Sequence, residues 1–152
     1  MKRIEIISKK EKVEMKKYLD EYLKEIAKYD DTVNFDKKGN PEYQYFKHYF
    51  KDDNRYPIYF YVDETLAGIA LVREIEAYSH EIAEFYVFPE FRKDNNAFDF
   101  ANMIYMKFLG TLKFATRREN TRAVRFWERF VSQFEQVESI KGEKWVNWSV
   151  KR

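Results

Sequence analysis

Apolar residues recur along this chain with two periods, and the points where one gives way to the other mark out its elements. Alternation over Arg3–Ile7 predicts a short strand. From Glu11 to Lys28 the period is helical. Met15, Leu19, Tyr22, Ile26 and Tyr29 share one face, and Asp30-Asp31 end the run. Gly39-Asn40-Pro41 reads as a second helix start, with Asn40 as N-cap, Pro41 in the first helical position, and Tyr43, Phe46, Tyr49 and Phe50 as its apolar stripe. Three strand-like runs follow: Ile58–Val62, Leu66–Ile75 and Glu81–Phe88. Turns at Asp63-Glu64-Thr65 and Ala77-Tyr78-Ser79-His80 separate them, Pro89 closes the last, and the close spacing predicts an antiparallel meander. The helical period returns at Ala97, Ala101, Ile104 and Phe108, ending near Gly110. A strand at Leu112–Thr116 precedes a helix capped by Asn120 or Thr121 and carrying Ala123, Trp127, Phe130 and Phe134. Glu135–Ile140 and Lys144–Val150, joined by Lys141-Gly142-Glu143, read as a final hairpin.

The resulting order is β-α-α-β-β-β-α-β-α-β-β. It predicts an α/β (α+β) fold with a central sheet, and no linker or repeat divides residues 1–152 into more than one domain. The chain holds 14 Phe, 12 Tyr and 3 Trp, more rings than a domain of this size buries, so some are expected to line a groove or an interface. A net charge of +2 from 28 basic and 26 acidic residues argues against nucleic acid as a partner. The absence of Cys excludes disulfides, thiolate metal sites and a Cys nucleophile. His48 and His80 show no ligand spacing with carboxylates, so no metal is expected. With no signal-like or membrane-length apolar run, the expected location is the cytoplasm, with no membrane contact.

The stretch from Ile82 to Ala97 runs from strand through Pro89 and a short charged loop into a helix start. A helix N-terminus offers unpaired N–H groups and a partial positive charge, so such a loop suits an anion. Between Phe91 and Arg125 lie eight basic residues and only three acids (Asp94, Asp99 and Glu119). A polyphosphate would favour that asymmetry, although a solvated basic helix face has the same composition.

Val87-Phe88-Pro89-Glu90-Phe91-Arg92, followed five residues later by Ala97, resembles the coenzyme-binding motif of the GNAT superfamily of N-acetyltransferases. Glu119-Asn120-Thr121-Arg122-Ala123-Val124-Arg125-Phe126-Trp127 is similar to that superfamily's second motif, in the branch where Trp replaces Tyr; Phe108-Leu109-Gly110 fits the same branch. The resemblance implies a mixed, mostly antiparallel central sheet flanked by helices, and acetyl-coenzyme A as co-substrate. It implies direct transfer of an acetyl group to a primary amine of a small-molecule or peptide acceptor, and a homodimer formed through a sheet edge or the C-terminal strands, where Trp145 and Trp148 serve either core or interface.

By the same resemblance, Phe85, Tyr86 and Val87 would pair their backbone with the pantetheine arm. The N–H groups of Arg92, Lys93, Asp94, Asn95, Asn96, Ala97 and Phe98 would hold the pyrophosphate. Asn120 would contact pantetheine, with Ala123 and Phe126 packed beside it. Glu84 would be the general base. Tyr86 is the candidate acid, since the usual Tyr after Phe126 is Trp127, whose indole donates a hydrogen bond but is no practical acid. Where the superfamily has glycines, this loop has none. Asn is the non-glycine residue most tolerant of a left-handed backbone, so Asn95 and Asn96 are expected to preserve the cradle, with their amides as added phosphate donors. Asp94 and Asp99 bring opposing charge. The glycine-free loop and Trp127 also define an alternative: a catalytically inactive member of the fold serving as a binding or regulatory protein. His80 is expected on a surface turn, His48 on a helix surface or pocket rim, and the Tyr43–Phe50 stripe in the core.

Overall fold

The computed structural model describes residues 1–151. Strand β1 (Lys2–Ile6) leads through a one-turn helix at Lys9–Glu11 into α1 (Lys12–Ile26). Ser8 and Glu11 form a capping box there, the Ser8 N–H donating to the Glu11 carboxylate at 3.0 Å. Next come the two-residue strands β2 (Asn34–Phe35) and β3 (Pro41–Glu42) and a 3₁₀ turn at Phe46–Phe50. The meander β4 (Arg55–Val62), β5 (Thr65–Glu76) and β6 (Ser79–Val87) follows, then α2 (Asn96–Lys107), β7 (Thr111–Arg117), α3 (Thr121–Val131), β8 (Val137–Lys141) and β9 (Trp145–Lys151).

Seven strands form one sheet in the order β1-β4-β5-β6-β7-β9-β8. Every neighbouring pair is antiparallel except β6 and β7. That parallel pair joins only Ser79–Ile82 to Thr111–Phe114, so beyond Ile82 the two strands part and the β7-facing edge of β6 has no strand partner. One apolar cluster fills the face under α2 and α3, with Phe60 stacked on Phe100 at 4.6 Å and Trp127, Phe130 and Trp148 buried around Phe114. The other fills the face under α1 and the 46–50 turn, around Met15, Leu19, Tyr59, Ile69 and Tyr86.

Three elements differ from the sequence reading. The Asn40-Pro41 signal does not start a helix. The Asp36 carboxylate accepts the N–H groups of Lys38 and Asn40 at 2.9 Å each, Gly39 takes a positive φ of 83°, and the chain turns back as a β2–β3 hairpin. Helix follows only at Phe46–Phe50, where Phe46 and Tyr49 are buried. The helix α3 stops at Val131, short of Phe134, whose ring still packs on Phe130 and Tyr105. His80 belongs to β6 rather than to a surface turn. It lies buried between Tyr56 and Phe108, burial lowers its pKa, and its Nδ1 has no partner. Trp148 is core, whereas Trp145 stays partly exposed beneath the Arg117 guanidinium.

Candidate active site

A one-residue irregularity in β6 decides which side chains meet. The register runs Leu71↔Glu84 and then Val72↔Ile82, which leaves Ala83 as a bulge. An extra residue in a period-two strand moves everything after it to the opposite face. Ile82 and Phe85, three apart, therefore both pack toward α2 and α3, and Glu84 turns toward α1.

There the Tyr22 hydroxyl donates to Glu84 Oε1 and the Tyr43 hydroxyl to Oε2, each at 2.8 Å. Burial pushes the Glu84 carboxyl up to about 7, with Asp30 and Glu81 adding to the effect and the two phenols opposing it. Burial and the Glu84 charge push both phenols well above the usual range, so they act as fixed donors. The sequence pattern places Tyr22 and Tyr43 in apolar stripes. Tyr rather than Phe or Leu at those positions was the available sign of a buried polar partner.

The parting of β6 from β7 opens a cleft of about 420 Å³, reaching from Glu84 to the start of α2. Phe85, Tyr86 and Val87 line it from one side, and Asn120, Ala123 and Phe126 from the other. Asn120 caps α3, its Oδ1 accepting the Ala123 N–H at 3.3 Å. The ring of Phe85 stacks between Phe100 and Phe126 at 4.8 and 5.8 Å. Tyr86 faces α1 and is 4 % exposed; burial and the charges of Glu21 and Glu25 hold its hydroxyl far above its ordinary value.

At the cleft mouth Asp94 and Asn95 take φ of 54° and 60°, consecutive left-handed residues that supply without glycine the turn a phosphate loop needs. The Ala97 and Phe98 N–H groups stand in the first turn of α2, where no helical acceptor exists, and the Asn95 side chain does not cap them. The two Asn side chains do not act as expected. Asn96 is 2 % exposed and donates inward to the Phe91 carbonyl at 3.0 Å, while Asn95 Oδ1 accepts from Arg129 at 2.6 Å. Any anion cradle here is therefore main chain. Lys93, Arg122 and Arg129 line the same mouth. Arg92 is committed elsewhere, to the Val87 carbonyl and the Glu25 carboxylate at 2.9 Å each. The opposing charge of Asp99 is answered by Lys2 at 2.6 Å, and Lys2 also donates to the Asp94 carbonyl at 2.9 Å. His48 sits at the surface, 3.4 Å from Asp52 and outside this cleft. No group of three or more His, Asp or Glu side chains among the described residues is placed to hold a metal, and no helix among them is long and apolar enough to cross a membrane.

Solved structures share this architecture over nearly the whole chain. An acetyltransferase from Thermus thermophilus superposes with a TM-score of 0.68 at 9 % identity, covering 100 % of this chain and 97 % of that one. The PaiA N-acetyltransferase of Thermoplasma acidophilum, solved in complex with coenzyme A, gives 0.62 at 13 % identity, covering 100 % and 99 %. Campylobacter jejuni N-acetyltransferase PseH gives 0.62 at 14 % identity, covering 99 % and 98 %. No family model matches the chain, and no curated protein matches it in sequence. A GNAT-family acetyltransferase of Streptococcus pneumoniae gives 0.64 at 12 % identity, covering 99 % of each chain, and the fold is that of the GNAT acetyltransferases.

Proposed function

We propose that this protein is an acetyl-coenzyme A-dependent N-acetyltransferase that delivers an acetyl group directly to a primary amine, with Glu84 as the base. One arrangement carries the reading: a single cleft joins unpaired helix-start amides at one end to a half-buried carboxylate poised near neutrality at the other. The main chain of residues 93–98 with Lys93, Arg122 and Arg129 fits a pyrophosphate. The unpartnered edge of β6 beyond Ile82 fits an extended amide-bearing arm, though Arg92 already occupies the Val87 carbonyl. Acetyl-coenzyme A would supply the activated acetyl group.

The protein's part is proton handling. An alkylammonium with a pKa of about 10.4 holds its proton at neutral pH, and only the neutral amine is nucleophilic. A carboxylate near 7 accepts that proton far better than an ordinary Glu does, yet is still ionised in about half the molecules at pH 7. Tyr86 does not fill the acid role well. Its raised hydroxyl is a far weaker acid than the coenzyme thiol, whose pKa is about 8.5, so it has little tendency to protonate the departing thiolate. The product thiolate is protonated from solvent.

The test measures melting temperature with and without millimolar acetyl-coenzyme A, then thiol release with an amine panel for wild type and Glu84→Gln. The expected result is a rise in melting temperature in both proteins and thiol release in wild type alone. A rise with no thiol release from any amine would favour the non-catalytic alternative, and no rise would remove the donor site.

A further inference from the structure

A second cavity of about 330 Å³ adjoins the first. Ile82, Ala83, Glu84 and Ala115 line both, so the Glu84 carboxylate stands where they meet. Tyr43, Tyr45 and Tyr49 wall this second cavity. Arg55, Arg73 and Glu81 also line it and form one cross-strand row, register partners across β4, β5 and β6.

That row is electrically unbalanced. Arg55 lies directly opposite Arg73, and like charges so placed repel. Glu81 answers Arg73 at 2.9 Å. Nothing inside the cavity answers Arg55. Its one ion pair among the described residues, at 3.6 Å, is with Asp52 outside the cavity lining, a carboxylate it shares with His48. The Arg55 guanidinium rests against the rings of Tyr45 and Tyr49 at 5.3 and 5.2 Å, and its side chain is only 16 % exposed. A second polar group beside it is also unsatisfied. Tyr49 is 3 % exposed, and its hydroxyl, beside Arg55 and Tyr43, completes no well-formed hydrogen bond among the described residues, which is costly for a buried donor unless a ligand supplies the acceptor. A guanidinium whose ion pair lies outside the lining and a hydroxyl left without a bond, in an aromatic pocket sized for a small molecule, suit a single negative charge.

We propose that the acceptor is a small zwitterionic amine, an amino acid or close analogue, whose carboxylate is held by Arg55 and the Tyr49 hydroxyl while its amine reaches Glu84. The inference rests on reading the first cleft as the acetyl-donor site. The reaction balances with no further reagent: Glu84 takes the ammonium proton, the N–C bond forms as the thioester C–S bond breaks, and the second nitrogen proton, exchanged through solvent, matches the one the leaving thiolate takes up.

The experiment compares matched pairs with and without the carboxylate, namely tyrosine with tyramine, phenylalanine with phenethylamine, and ornithine with putrescine. Thiol release is followed for wild type, Arg55→Met, Arg55→Lys and Tyr49→Phe. In at least one pair the amino acid is expected to exceed its decarboxylated partner about 30-fold or more in kcat/KM. Arg55→Met should bring that ratio to within about threefold, through KM. Arg55→Lys, which keeps the charge but not the fork, should restore part of it, and Tyr49→Phe should raise KM for the amino acid alone. A purely structural Arg55 would lower both members of a pair together. Equal rates within every pair, or a ratio unchanged in Arg55→Met, overturns the inference while leaving acetyl transfer intact. If no amine turns over, calorimetry in the presence of coenzyme A decides. Heat with the amino acids alone, lost in Arg55→Met, supports the pocket; no heat with any of them overturns it. Absence of a coenzyme A melting shift instead removes the donor site itself.

Discussion

Replacing Glu84 with Gln should make the protein less active and, at alkaline pH, more stable. The carboxyl sits at about 7 in the folded protein against an ordinary value of 4.5. A carboxyl raised by folding binds its proton more tightly when native. Its stabilising contribution is therefore complete below 4.5 and is lost as the pH climbs through 7. The gap of about 2.5 pH units corresponds to about 3 kcal/mol. Gln mimics the protonated form and does not titrate, and every other group in the protein is common to both variants. The difference in unfolding free energy should thus be near zero at pH 4.5 and approach about 3 kcal/mol in favour of Gln at pH 8, a melting difference of roughly 6–12 °C for a chain of this length. Urea unfolding of both proteins at half-unit steps from pH 4.5 to 8 gives the curve directly. Over the same range wild-type kcat/KM should rise with unit slope and level off above about 7, while the Gln variant runs about 10²–10⁴-fold lower. A stability difference that stays flat with pH, or that favours Glu at pH 8, would refute a half-buried, titrating Glu84 whatever the activity showed.

The two phenols on that carboxylate should act on the same titration. Tyr22→Phe and Tyr43→Phe each remove a donor to the ionised form, worth about 1.5–3 kcal/mol, so each should move the activity profile upward by about one to two pH units. At the cleft mouth Asn95→Gly should leave stability within a few tenths of a kcal/mol and keep coenzyme A affinity by calorimetry, whereas Asn95→Ala, held at a φ of 60°, should cost about 1–2 kcal/mol and weaken binding. Gly68→Ala places a Cβ 2.5 Å from the Tyr86 carbonyl, backbone that cannot step aside without moving β6. It should cost about 1–3 kcal/mol in thermal denaturation and lower coenzyme A affinity together.

Periodicity carried most of the architecture because most of the elements are amphipathic in the ordinary way. The face of Met15, Leu19 and Tyr22 in α1, the alternation in the meander and the Asn120 cap all lie where local pattern and tertiary burial agree. Local pattern failed where two structures share one signal. Asn40-Pro41 is as good a hairpin exit as a helix entry, and what tips the balance is Asp36 capturing two amides of the turn, a choice that depends on side-chain geometry rather than residue type. His80 was read from the turn beside it, while Phe108 and Tyr56, distant in sequence, bury it.

The candidate site shows the same division more sharply. The turn at Arg92–Ala97 was legible in part because it needs only a tolerance for positive φ: Asn95 provides it as expected, but Asp94 is the second left-handed residue, while Asn96, the other one expected, begins α2. Side-chain chemistry could not be read so. Strict alternation from Ile82 would aim Glu84 into the apolar cluster under α2 and α3, among Phe100 and Trp127, where no donor was found for it. The bulge at Ala83 turns it instead toward Tyr22 and Tyr43, and so toward the cavity holding Arg55. A single unpaired residue thereby does two things. It ends the pairing of β6 with β7 just where the cleft begins, and it brings Glu84, a carboxylate near neutrality, to the wall that both cavities share. Deleting Ala83 would restore regular alternation along β6. Val72 would still face Ile82 and Leu71 would still face Glu84, so Glu84 should keep its two phenols and its titration; if the bulge is what parts β6 from β7, the deletion should narrow the cleft and weaken coenzyme A binding by calorimetry.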